Sequence, residues 1–347
     1  MKAAVYRRPG VIAVEERDVP RIRDDEILVK IRAASICGTD LRIYRGGHFK
    51  IDAGEARVLG HELSGEIVEV GSYVTGWSVG QRVSVAPNVG CGRCEMCRQG
   101  YNNMCVDYEA FGITFDGGFE QHMRIPAAAI YEGNLFEVPD SLTWEEAAVV
   151  EPLSCCYNAW KDLKVTPEDS VLIIGPGSIG ICFLQLAKTW GARQVIMVGR
   201  RDSRLAEIER FGADVLINST KTDVAKEIGR ITGGRGVDVV ITAASAPELQ
   251  PLAIHLLARR GRVNFFAGLH RGTMVELDTN RLHYWGLQVF GTTGSSIQDY
   301  HKALKLVENR QVNVADIISH RFGIEETAEA FRFALSGQGM KSVVLPN

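Results

Sequence analysis

What this chain lacks narrows it first. No apolar stretch approaches the roughly 20 residues a membrane-crossing helix needs; runs such as Val171–Ile174 and Val195–Val198 are far shorter. There is no block of like charge, and a net charge of −3 leaves no clustered basic face of the kind that neutralises phosphates. Neither a membrane nor a nucleic acid is therefore expected as a partner. Low-complexity tracts and internal repeats are also absent, which excludes repeat architectures. The opening MKAAVYRRPG has no apolar signal core. The expected compartment is thus the reducing cytoplasm, where the eight cysteines serve as ligands or core thiols rather than bridges.

What is present fits a soluble globular protein. At 347 residues and 46% hydrophobic, the chain is long enough to bury the cores of two domains. Up to about residue 150 it carries short strand-like runs punctuated by glycine: Glu26–Ala33, Ser64–Val70, Arg82–Ala86 and Gln121–Ile125. From about Glu168 the rhythm changes to apolar strands alternating with helical segments. These are Ser170–Ile174, Ile179–Trp190, Gln194–Val198, Arg204–Phe211 and Val237–Thr242, the pattern of a parallel doubly wound α/β sheet. Beyond Leu287 the pattern predicts a helix over Tyr300–Asn309, another from Gly323 through Leu335, and a closing strand at Ser342–Leu345.

Cys91, Cys94, Cys97 and Cys105 lie within fifteen residues, in a C-x2-C-x2-C-x7-C spacing. Short loops can wrap three thiolates around one metal while the longer loop returns the fourth. Four soft sulfurs in a closed tetrahedron favour zinc and leave no open coordination position, so this site is expected to be structural. Disulfides would need an oxidising compartment, and an iron–sulfur run of the ferredoxin type would place its fourth cysteine sooner and follow it with proline. Cys155, Cys156 and Cys182 sit in apolar contexts and read as core thiols.

Val171-Leu-Ile-Ile-Gly-Pro-Gly-Ser-Ile-Gly180 places G-x-G-x-x-G between a buried strand and a helix, the context that marks dinucleotide binding. Gly175 suits the tight turn, Gly177 lets backbone approach a pyrophosphate, and Gly180 permits close packing of helix on strand. Ser178 and Ile179 complete a helix N-terminus whose N–H groups face the phosphates. The next strand ends in Gly199-Arg200-Arg201-Asp202. A glycine there removes the carboxylate that would repel a 2′-phosphate, and Arg200 and Arg201 offer forked donors to it. NADP(H) is the expected cofactor, with NAD(H) possible if Asp202 serves the ribose instead.

A thiolate, an imidazole and carboxylates at Cys37, His61, Glu62 and Glu151 can form a mixed metal site that keeps a position for water or substrate. The motifs C-G-T-D at 37–40, G-H-E at 60–62, the four-cysteine lobe, E-P at 151–152 and G-P-G-S-I-G at 175–180 occur in one order along the chain. In that order it resembles the zinc-dependent medium-chain dehydrogenase/reductase family, in the branch of sorbitol, threonine and other polyol dehydrogenases.

The resemblance implies a GroES-like β-rich catalytic domain, residues 1–150 and 290–347, around a Rossmann domain at 151–289. It implies two zinc ions per chain: a catalytic one at Cys37, His61 and Glu62, with Glu151 binding directly or through water, and a structural one at the four cysteines. Thr39 resembles the hydroxyl that begins the proton relay, whereas Arg42 stands where many relatives carry a relay histidine, with His48 a weaker substitute. The implied reaction passes hydride between a secondary alcohol of a polyol and NADP(H). Oxidation of an amino-alcohol such as threonine and action on a sugar-phosphate polyol are the alternatives; the stretch 291–296 lacks the Arg-Tyr pair of sorbitol dehydrogenases. A homodimer or homotetramer, paired through the Rossmann sheet edge, is also implied.

Overall fold

Alternating apolar residues turn the N-terminal segments into strands that share one buried face. The computed structural model describes residues 1–52 and 54–346. The chain divides into two units, residues 1–155 with 294–347, and residues 156–293. The first junction falls inside a continuous helix, Val150–Leu163, past the Pro152 in its first turn.

In the first unit a seven-stranded sheet runs Leu135–Glu137, Arg82–Val85, Glu62–Val70, Ile27–Ser35, Lys341–Leu345 and Ile318–Gly323, with His122–Ile125 also paired to Ile27–Ser35. A second sheet orders Val11–Glu16, Lys2–Arg8 and Arg57–Val58. Ile31, Leu63, Ile67, Val83, Phe119 and Phe331 lie together in the core between them. Ile27–Ser35 is the spine: Ser35 stands opposite Glu62 on one side and Val343 on the other. Residues about 280 positions apart in sequence thus become neighbours across a single strand.

The second unit is a six-stranded parallel sheet in the order Val215–Asn218, Gln194–Gly199, Ser170–Ile174, Val237–Thr242, Leu257–Phe265 and Gln288–Gly291. Every residue of Ser170–Ile174 is buried, as expected of a central strand covered on both faces. Numbered within the unit the order is 3-2-1-4-5-6, the doubly wound arrangement that puts a ligand crevice at the carboxyl ends of its first strands.

Two differences from the sequence reading have physical causes. Leu257–Phe265 carries Arg259, Arg260 and Gly261 in its middle, with Arg260 at φ +61°, and this kink breaks the apolar alternation that marks a strand. The helix expected to open at Gly323 begins at Thr327 instead. Gly323 ends a strand parallel to Lys341–Leu345, and a short 3-10 turn, Ile324–Glu326, separates it from the helix, with Glu326 Oε2 accepting from the Gly323 N–H at 2.7 Å. Among the described residues, no helix is long and apolar enough to cross a membrane.

Phe331 ties the C-terminal segment to the N-terminal core, with ring centroids 5.4 Å from Tyr44 and 5.6 Å from Phe119. Phe331→Ala should lower unfolding free energy by about 3–5 kcal/mol, through lost burial plus a residual cavity. Urea denaturation checks this, and a loss below about 1 kcal/mol would show that the tail docks without it.

Candidate active site and cofactor turn

Cys37 caps the N-terminus of the helix Gly38–Gly46, and His61 and Glu62 lie at the start of the strand Glu62–Val70. One donor atom from each of Cys37, His61 and Glu62 falls within 4.8 Å of the other two. Asp40, fully buried, joins these segments: its Oδ2 accepts from the Cys37 N–H at 2.8 Å and its Oδ1 from the Gly60 N–H at 3.1 Å. The same Oδ1 stands 3.5 Å from His61 Nδ1, and that buried nitrogen has no well-formed hydrogen bond. Burial pushes the imidazole's pKa down, but the Cys37 thiolate and the Asp40 carboxylate beside it outweigh this and hold it well above the usual range.

Glu62 is buried between Ser35, whose hydroxyl donates to Oε2, and Lys341, whose Nζ lies 2.6 Å from Oε1 and 2.5 Å from Oε2. Burial works against the ammonium, yet Glu62 and Cys37 hold the Lys341 pKa above its ordinary value. Sulfur, imidazole and carboxylate converging on one point, with a buried carboxylate beside the histidine, match the donors and the outer support of a mixed zinc site. The residues therefore fit the metal.

Glu151 stands outside that trio. It is buried near the start of the helix Val150–Leu163, and burial first, then the Glu62 carboxylate, push its carboxyl up to about 7 against the opposing pull of His61. One turn on, Cys155 donates to Glu151 Oε1 at 3.4 Å; this thiol faces the site instead of packing as core. Cys156 and Cys182 are buried. Thr39 Oγ1 accepts from the Arg42 guanidinium at 3.0 Å.

The sulfurs of Cys91, Cys94, Cys97 and Cys105 all lie within 4.8 Å of one another. Backbone N–H groups point at them: Cys91 N–H at Cys105 Sγ (3.3 Å), Cys94 N–H at Cys91 Sγ (3.4 Å) and Cys97 N–H at Cys94 Sγ (3.5 Å). The N–H groups of Arg93 and Cys94 bring the Cys91 thiol down to about 6, so a thiolate is available at neutral pH. Four sulfurs this close could make a closed tetrahedral set around one metal, with no position left for chemistry.

In the second unit the turn between Ser170–Ile174 and the helix Ser178–Thr189 gives each glycine a separate task. Gly175 takes φ +122°, and a Cβ there would meet the Ala243 backbone at 2.8 Å. A Cβ on Gly177, the N-cap of that helix, would meet nothing within 4 Å, which leaves the open approach a pyrophosphate needs. On Gly180 it would fall 2.0 Å from the Gly175 carbonyl oxygen. Arg200 and Arg201 are exposed where the strand Gln194–Gly199 ends, and Asp202 is engaged by Lys221 (2.5 Å) and Asn218 Nδ2 (2.6 Å).

Ser35, Asp40, Cys155 and Lys341 join the site without having been expected there from the sequence. Asp40 was readable within C-G-T-D, but Lys341 had no local signal.

Residues 23–140 match the alcohol dehydrogenase GroES-like domain and residues 178–309 the zinc-binding dehydrogenase domain. Sorbitol dehydrogenase of Bacillus subtilis (strain 168) is 33% identical, covering 100% of this chain and 98% of its own. L-threonine 3-dehydrogenase of Pyrococcus horikoshii is 34% identical, covering 99% and 98%. Among solved structures, a candidate zinc-binding dehydrogenase of Sinorhizobium meliloti 1021 bound to NADP superposes with a TM-score of 0.92 at 30% identity, over 99% of each chain. The chain belongs to the zinc-dependent medium-chain dehydrogenase family. It is an alcohol dehydrogenase of the polyol branch, built from a GroES-like unit and a Rossmann-like unit.

Cys94→Ser should remove about one zinc per chain and lower the melting temperature, because a structural site contributes folding energy. Cys37→Ser should remove the other zinc and abolish turnover with the fold intact. Zinc by mass spectrometry together with circular dichroism reads both outcomes; full activity in Cys37→Ser would refute that ligand.

Proposed function

We propose that this protein oxidises a secondary hydroxyl of a sugar alcohol or similar polyol with NADP⁺ in preference to NAD⁺, and reduces the matching ketone in reverse. The observation that carries the reading is the convergence of Cys37, His61 and Glu62 donors on one point, a set that keeps a coordination position open. Glu151 serves that site directly or through water, and the four-cysteine lobe holds a second, structural zinc. When bound, the metal supplies Lewis acidity to the substrate hydroxyl and the dinucleotide supplies a hydride acceptor.

The chain's own residues do the rest. Asp40 fixes the His61 ring, and Ser35 with Lys341 fixes Glu62. Thr39 offers a hydroxyl to receive the substrate proton. Arg42 donates to that hydroxyl and cannot itself take up the proton, because a guanidinium stays charged. Burial, Lys50 and Arg42 lower the His48 pKa, which keeps its imidazole neutral and able to accept.

The cofactor preference rests on the end of the strand Gln194–Gly199. Gly199 carries no carboxylate, Asp202 is already engaged by Lys221 and Asn218, and Arg200 and Arg201 lie exposed beside it. Charge-assisted bonds from forked guanidiniums suit a 2′-phosphate.

A second reading, a phosphorylated polyol, is favoured by Arg42 standing against Thr39 with Lys50 within its electrostatic reach of His48. A fixed cation beside the hydroxyl suits an anionic substrate. The likeness to a threonine dehydrogenase places amino-alcohols in the same test.

Oligomerisation through the sheet edge is supported by the strand Gln288–Gly291, which is mostly exposed and carries Val289 at 40% exposure, with Tyr284 at 73% nearby in sequence. We place the protein in the cytoplasm as a homodimer or homotetramer, which light scattering distinguishes from a monomer.

Initial rates across free and phosphorylated polyols and threonine, each with NADP⁺ and NAD⁺, test the reading. A polyol should react faster with NADP⁺. Changing Arg200 and Arg201 together to Ala should raise KM for NADP⁺ by about tenfold or more and leave that for NAD⁺ within about twofold. Equal effects on both would remove the arginines from cofactor choice.

A further inference from the structure

Gly199 ends the strand Gln194–Gly199, and its position has no room for a side chain. A Cβ there would lie 2.6 Å from Pro176 Cγ and 2.9 Å from Leu205 Cδ2. Carbon atoms pack at about 3.5–4.0 Å, so both neighbours would have to move. Leu205, buried on the helix Asp202–Glu209, can swing a methyl aside by changing rotamer. Pro176 has less freedom: its ring locks φ and leaves only a change of pucker to move Cγ, so further relief needs the backbone of the turn to shift. That turn is tied to the neighbouring strand, with the Gly175 N–H donating to the Val198 carbonyl at 3.0 Å.

The two sides of the turn therefore differ. Space stands open at Gly177, where a pyrophosphate approaches, and is filled at Gly199, where an adenosine ribose would be read.

We propose that Pro176 is a specificity-determining residue of this chain. With Leu205 it occupies the volume that a carboxylate side chain at position 199 would need. Cofactor choice is thereby set by packing beneath the turn as well as by Arg200 and Arg201. Asp202, the other nearby carboxylate, is engaged by Lys221 and Asn218. The inference rests on the reading that the ribose is recognised at the end of this strand. It predicts that installing the carboxylate alone does not convert the enzyme, and that Pro176 must be changed with it.

The test compares the full-length wild type with Gly199→Asp, Pro176→Ala and the double variant. The melting temperature of the cofactor-free protein is one readout, and equilibrium Kd for NADH and NADPH from nicotinamide fluorescence is the other. Gly199→Asp alone should lower the melting temperature by about 3 °C or more, as overpacking does. Adding Pro176→Ala should recover more than half of that loss and move the NADH-to-NADPH preference about tenfold further toward NADH than Gly199→Asp does alone.

If Gly199→Asp does not fold, Gly199→Ala, which adds the Cβ alone, carries the same melting comparison with and without Pro176→Ala. The proposal is overturned if Gly199→Asp melts within about 1 °C of wild type and shifts the preference as far as the double variant, or if Pro176→Ala rescues neither substitution. A wild type that binds NADH as tightly as NADPH would defeat the NADP reading while leaving the melting comparison to decide the role of Pro176.

Discussion

A charged carboxylate with no exposure to solvent needs partners that replace water, and in this protein Glu62 is matched by the Lys341 ammonium. Burying either charge alone would cost several kcal/mol, whereas a paired and hydrogen-bonded couple removes most of that penalty. The pair also receives the Ser35 hydroxyl. It forms only if the strand Ile27–Ser35 lies between Glu62–Val70 and Lys341–Leu345 in the observed register, with Ser35 opposite both Glu62 and Val343. A one-residue slip on either side would turn the partners to the other face. The last strand of the chain is thus a wall of the candidate site, and the first unit needs the tail for its chemistry as well as for its core.

Asp40 plays the corresponding part on the other side. By accepting from Cys37 N–H and Gly60 N–H and standing against His61, it fixes the helix Gly38–Gly46 relative to the segment leading into Glu62–Val70. Two buried carboxylates therefore hold the thiol, imidazole and carboxylate donors in one place. The four-cysteine lobe uses the opposite strategy: backbone N–H groups support a closed sulfur set. On the proposed reading, one donor set would keep a coordination position for chemistry and the other would spend all its positions on structure. The second unit contributes a turn in which glycine provides conformation at Gly175, open approach at Gly177 and close packing at Gly180.

The Rossmann-like unit was legible because its signals are local. A fully buried strand reads as an apolar run, and Ser170–Ile174 and Val237–Thr242 have the bounds their sequence suggests. The four cysteines were equally legible, since spacing alone brings them within reach of one metal. Long-range pairing was not. Leu257–Phe265 hides its period behind Arg259, Arg260 and Gly261, and Ile318–Gly323 is made a strand by its parallel partner Lys341–Leu345. Lys341 carries no local signal, because nothing near it in sequence announces that Glu62 lies beside it. Cys155 looked like core for the same reason: its polar neighbour, Glu151, is one helical turn away and buried. The absence of a side chain at Gly199 suggested a cofactor preference, but the reason one does not fit, Pro176 and Leu205, needed coordinates.

We propose that the chain holds two zinc ions in unlike donor sets, one with four sulfurs and one with a single sulfur. Zinc K-edge X-ray absorption on the zinc-replete full chain, with the metal content of the same sample, addresses it directly. Five thiolates shared over two sites predict about 2.5 sulfur ligands per zinc, with nitrogen and oxygen completing each shell. One zinc per chain with about four sulfurs, or two zincs each with about four, would contradict the account.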